Sequence, residues 1–170
     1  IVELQDALSA SDISYWKKDE LRNDLNALKK LMGDHERSIK AAQANEVVTV
    51  AKQLATDHSG DQIMVKELSC GSNAKALDTA IKAYIKIAPS TSTMFFSVDD
   101  EAGKVICLSA VPKDAVAKGL KANEWVNHVA GVINGRGGGK PESAQATGSN
   151  IENVNDAVKL SQEFAQLKLQ

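Results

Sequence analysis

Hydrophobic residues recur at Leu21, Leu25, Leu28 and Met32, with Lys, Arg, Asp and Asn filling the positions between them. That spacing predicts an amphipathic helix, apolar along one face and wetted on the other. Ser11 and Asp12 suit the cap of its start, and Gly33-Asp34 marks a kink or fray near its end. A second helix is predicted from about Asn45 to Thr56, burying Val47, Val50 and Leu54. The two helices are expected to fold back as an antiparallel hairpin. A lone hairpin buries too little apolar surface to hold itself together, so its stripe needs something to rest on.

His58-Ser59-Gly60-Asp61 interrupts the helical pattern. Beyond it, Ile63, Val65 and Leu68 read as a strand. Ser72 or Asn73 caps a helix carrying Leu77, Ile81, Tyr84, Ile85 and Ala88, stopped by Pro89. Met94 to Val98 and Val105 to Ala110 flank the turn Asp99-Asp100-Glu101-Ala102-Gly103 as a hairpin. Asn123 is placed to cap a helix bearing Trp125, Val126, Val129 and Ile133, released at Asn134-Gly135. A short strand from Ser143 to Thr147 and a last helix from about Asn153, burying Val154, Val158 and Phe164, complete the chain. The fold class is therefore α+β: an N-terminal helical hairpin, residues 1–60, then a mixed β-sheet globular subdomain covered by helices, residues 61–170. The second part, roughly 110 residues, is large enough to bury about two thirds of its unfolded surface.

With 43% hydrophobic and 25% charged residues the chain belongs with globular proteins. No apolar run approaches the roughly 20 residues of a membrane-spanning helix, and no secretory leader is visible, so no membrane partner is expected. The absence of an initiating Met suggests an excerpt of a longer protein. Cys70 and Cys107, at the ends of strands, are expected as buried thiols. Three histidines and two cysteines show none of the close pairings of metal sites, and no metal is expected. The net charge of −2 argues against reliance on a strong general attraction to nucleic acid. Between Lys104 and Lys140, however, six basic residues face two acidic ones.

That basic segment ends in Gly135-Arg136-Gly137-Gly138-Gly139-Lys140-Pro141, followed by Ser143-Ala144-Gln145-Ala146-Thr147-Gly148. Consecutive glycines lose much backbone freedom on folding, so they are kept where the chain bends unusually or something approaches its amides. Bare N–H groups in series suit phosphate oxygens, with Arg136 and Lys140 adding charge. A flexible hairpin tip without a ligand fits the composition as well. Catalysis finds little support: Asp34-His35 and Asp57-His58 each lack a second histidine, and no carboxylate–histidine cluster is visible. Aromatic residues make up 4% of the sequence, too few for a base-stacking platform. Trp125 is read as core, and Trp16 as a surface or interface anchor.

The glycine run followed by Lys140-Pro141 and Ala144-Gln145-Ala146 resembles the domain that ends alanyl-tRNA synthetases, related to the DHHA1 domain of DHH-type phosphoesterases. Trp16-Lys17-Lys18-Asp19-Glu20-Leu21-Arg22, Asn73-Ala74-Lys75-Ala76-Leu77, Val98-Asp99-Asp100-Glu101-Ala102-Gly103-Lys104, Gly119-Leu120-Lys121-Ala122-Asn123-Glu124-Trp125 and Phe164-Ala165-Gln166-Leu167 resemble the animal-type version of that C-terminal (C-Ala) domain. Arg136 interrupts the family's glycine run, and Gly148-Ser149 stands where two glycines are common. The resemblance implies a non-catalytic, cytoplasmic tRNA-binding domain. It would contact the outer corner of alanine-specific tRNA, help link aminoacylation with editing, and partner the rest of the synthetase. No cofactor is implied for this segment; ATP and zinc would serve the parent enzyme. Gly137, Gly138, Gly139, Lys140 and Gln145 carry over as binding positions, with Arg136, Lys113, Lys118 and Lys121 flanking. The competing expectations are a homodimer or protein interface on Leu21, Leu25, Leu28 and Met32, and DNA binding through the glycine loop.

Overall fold

The computed structural model describes residues 14–58 and 60–169, and residues 3, 4 and 10 besides. The suggested caps Ser11 and Asp12 lie outside the described residues. The protein divides into two compact units, Ile1–Ala41 and Ala42–Gln170.

The expected helical hairpin is not formed. A single helix, α1 (Tyr15–Asp57), runs unbroken through Gly33 and Asn45. Residues 33–45 contain no proline, and one glycine in a helix costs only about 1 kcal/mol relative to alanine. Asp34 and Arg37, one turn apart, pair at 3.2 Å across the expected break. Within the first unit, Tyr15, Trp16, Leu21, Leu28, Leu31, Met32 and Ile39 are exposed, and Leu25 is half-buried.

The second unit is built on a five-stranded sheet in the order β1-β2-β3-β5-β4. Its strands are β1 (Ile63–Glu67), β2 (Ser92–Asp99), β3 (Lys104–Ala110), β4 (Gly135–Gly139) and β5 (Ser143–Gly148). β1 runs parallel to β2, and every other pairing is antiparallel. The parallel pair needs a crossover, supplied by α2 (Ala74–Ile87). As expected, Asn73 caps α2, its Oδ1 accepting from the Ala76 N–H at 3.1 Å. The remaining helices are α3 (Lys113–Lys118), α4 (Ala122–Ala130) and α5 (Val154–Leu169). α4 is not capped by Asn123: Lys121 holds the cap position without a side-chain capping bond, and Asn123 lies inside the helix.

Pleating sends successive residues to opposite faces and so builds two cores. Met94, Phe96, Val105 and Cys107 join Trp125, Val126 and Val129 of α4 and Val154, Ala157 and Ala165 of α5. Phe95, Ile106 and Leu108 face the other way, against Leu77, Ile81 and Tyr84 of α2 and Val47, Ala51 and Ala55 of α1. Being covered on both sides, β2 and β3 bury almost every residue. Trp125 is fully buried, as expected, and its Nε1–H donates to the Ser161 carbonyl at 2.8 Å, joining α4 to α5. Both thiols are buried and free; burial pushes Cys107 up to about 12.

Candidate functional site

The glycine run is not the loop expected from its composition. It forms β4, an edge strand, and the reversal falls one step later, at Pro141-Glu142. Lys140 and Ser143 close this hairpin by exchanging N–H···O bonds of 2.8 and 3.2 Å. Glycine disfavours strands because it has no side chain to pack. Here that lack is what the packing requires. A Cβ on Gly137 would lie 2.6 Å from Val126 Cγ1 of α4, and one on Gly135 would lie 2.4 Å from the Thr147 carbonyl oxygen. Gly139 adds a φ of +153°, which side-chain-bearing residues rarely adopt. Gly138 differs, since a Cβ there would meet nothing within 4 Å.

Alternation along the hairpin separates the residues by face. Ala144, Ala146 and Gly148 of β5 are buried beneath the helices, while Ser143, Gln145 and Thr147 are exposed on the opposite side. In register with them stand Gly138, opposite Gln145, and Arg136, opposite Thr147. The result is a polar strip of Arg136, Thr147, Gly138, Gln145 and Ser143, uncovered by any described helix. Where the strip meets α2 it deepens into a groove of about 490 Å³. Lys75, Asp78, Leu108, Gly138, Gly139 and Gln145 are among its lining.

Backbone donors alternate too. The Lys140–Ser143 pair is mutually bonded, so Gly138–Gln145 and Arg136–Thr147 take the same role, and the residues between them do not. Gly137 and Gly139 therefore turn their N–H groups toward the free edge, whereas Gly138 donates inward to β5. Of the three amides expected to meet a ligand, the geometry offers two.

The flanking lysines divide. The hairpin turn is tied to the starts of α3 and α4: the Val111 N–H donates to the Glu142 carbonyl at 2.9 Å, and the Ala122 N–H to the Pro141 carbonyl at 2.8 Å. Lys113 and Lys121 therefore stand near Lys140, though Lys121 is already paired with Glu124 at 3.0 Å. Lys118 is not gathered with them; it lines a different groove, with Asp61, Ser90 and Asp114. Sequence reasoning missed Lys75, Ser143 and Thr147. Lys75 reaches the site only because the crossover lays the start of α2 beside β5, a long-range fact with no local signal. Ser143 and Thr147 follow once the strand register is known. Among the described residues, no group of three or more His, Cys, Asp or Glu is placed to hold a metal ion.

A mixed sheet with helices on both faces and a glycine edge hairpin defines a small α+β domain of known type. The profile of the family described as the DHHA1 domain matches residues 60–167. The protein belongs to that family. It is 50% identical over 169 residues to the cytoplasmic alanine–tRNA ligase of Drosophila melanogaster, matching 99% of this sequence and 18% of the ligase. The cytoplasmic ligase of Bombyx mori is 48% identical over the same shares. The chain thus spans about a fifth of the length of these relatives. Its fold is similar to the crystal structure of the C-Ala domain from Aquifex aeolicus alanyl-tRNA synthetase. That match has a TM-score of 0.50 and 20% identity, and covers 64% of this chain and 90% of that one.

Proposed function

We propose that this chain is the non-catalytic, tRNA-contacting accessory domain of a cytoplasmic alanine–tRNA ligase. It would help present alanine-specific tRNA to the aminoacylation and editing centres, while ATP and zinc serve other parts of that enzyme. The observation that carries this reading is the exposed hairpin β4–β5. It offers two outward amides without side chains, the cations Arg136 and Lys140, and hydrogen-bonding side chains on one open strip. Folded RNA presents phosphates and 2′-hydroxyls in fixed geometry, and such a surface reads shape rather than base sequence.

The test is tRNA binding measured against salt. Each phosphate contact adds about 0.7–0.9 to the slope of log K against log salt. Replacing Arg136 and Lys140 with alanine is expected to flatten the slope by up to about two contacts' worth. A wild-type slope near zero would defeat the reading. Competition with duplex DNA of matched length tests whether the strip takes any polyanion, and equal affinity would shift the proposal from RNA to nucleic acid in general.

A second reading rests on the exposed Leu21, Leu28 and Met32, with half-buried Leu25, at helical spacing in the first unit. Self-association through this stripe is compatible with tRNA binding, and sedimentation equilibrium tests it.

A further inference from the structure

We propose that Asn134-Gly135 is a site of spontaneous deamidation and isoaspartate formation, a chemical clock at the entry to β4. Of the ten asparagines in the sequence, Asn134 alone is followed by glycine. The absence of a Cβ at the next residue removes the main steric obstacle to attack by its backbone nitrogen on the asparagine side chain. Asn134 is exposed, lies in the turn between α4 and β4, and has a left-handed backbone with φ of 50°. Its side-chain amide is held by one long contact, Nδ2 to Ser149 Oγ at 3.4 Å. Gly135 stands opposite Gly148 in a pair that, by the alternation above, exchanges no ladder bonds, so its N–H is turned away from β5.

The fold also keeps the labile pair in place. A Cβ at position 135 would meet the Thr147 carbonyl oxygen at 2.4 Å, so the glycine cannot be replaced without moving the strand.

The chemistry needs only water and base. Base removes the Gly135 amide proton, and the nitrogen attacks Asn134 Cγ. A bond forms between that nitrogen and Cγ, the bond from Cγ to Nδ2 breaks, and ammonia departs to leave a cyclic imide. Water then opens either imide carbonyl. One opening gives aspartate; the other gives isoaspartate, with the backbone rerouted through Cβ. Either product places a new carboxylate two residues from Arg136. On the functional reading above, and only on it, that change weakens tRNA binding.

The experiment incubates the folded protein in mildly acidic and mildly alkaline buffers, digests samples over time and maps them by mass spectrometry. The expected result is a gain of about 1 Da confined to the peptide holding Asn134, faster at alkaline pH, with both products present. Asn134→Gln should abolish it, and thermal melting of that variant checks that the fold survives. The other nine asparagines serve as an internal control that needs no variant. An unchanged Asn134 peptide in the folded protein, alongside conversion in the urea-unfolded protein, would show that the fold protects the pair and overturn the proposal. Equal conversion at the other asparagines, or aspartate without isoaspartate, would also overturn it. The mass readout is independent of RNA. Deamidation with unchanged tRNA affinity would count against the functional reading alone.

Discussion

At Gly137 an added methyl group would sit 2.6 Å from Val126 Cγ1, whereas at Gly138 it would meet nothing within 4 Å. Two neighbours that look equivalent in the sequence therefore answer to different demands. Gly137 is glycine because α4 lies against the strand, and Gly138 is free of any such packing demand. Gly137→Ala is expected to lose about 1–3 kcal/mol, the usual cost of forcing a methylene into a packed contact. Gly138→Ala should stay within about 0.5 kcal/mol of the parent. Chemical denaturation of the two variants decides the point, and equal losses would contradict this assignment of faces. In the same proteins, tRNA affinity should follow the opposite order. Gly138→Val crowds the open strip while sparing the fold, and unchanged binding would remove the strip from the proposed interface.

Among the elements, the β2–β3 hairpin illustrates how a turn is fixed by charge. The Asp99 carboxylate accepts from the Ser72 N–H at 3.1 Å and the Ala102 N–H at 3.0 Å. It therefore stitches its own turn to the loop before α2. Hydrogen bonding, from Ser72 first and then Ala102, holds the carboxyl below its usual range. A carboxyl lowered on folding stabilises the native state fully above its unfolded value of about 3.9. That contribution is lost as pH falls through the lower, folded value. Asp99→Asn should therefore lower the melting temperature near neutrality and make it less sensitive to pH in the acid range. Parallel melting curves for parent and variant down the acid range, offset by a constant, would show that Asp99 has no such role. Elements of this kind were legible in the sequence: the Asp99–Gly103 turn, the Asn73 cap, the helical face of α2 and the burial of Trp125 all follow local rules. Those that were not legible depended on distant contacts. The glycine run of β4 has the composition of a loop and becomes a strand because β5 pairs with it and α4 leaves no room for side chains. Gly33 is a weak breaker, outweighed by the helical turns on either side, so α1 continues where a hairpin was expected.

At the level of the whole molecule, the first unit stands apart chemically from the second. The sheet-containing unit buries most of its large apolar side chains in two cores, whereas residues 15–41 leave Leu21, Leu28 and Met32 exposed at 42%, 53% and 54%. Scattered surface leucines need no explanation, but a row at helical spacing is a surface that a second copy of the protein can cover. Fully burying a fully exposed side chain of this kind is worth roughly 1.5–3 kcal/mol, and these are about half exposed, so each contributes several-fold to an association constant. Sedimentation equilibrium is expected to show mass rising with concentration. Leu21→Lys, Leu28→Lys and Met32→Lys together should return the protein to a monomer. The sheet unit should melt as before, because none of the three residues belongs to either core. A parent protein that remains monomeric at high concentration would end the self-association reading. It would leave the proposed tRNA binding through β4–β5 untouched, since that surface lies wholly within residues 42–170.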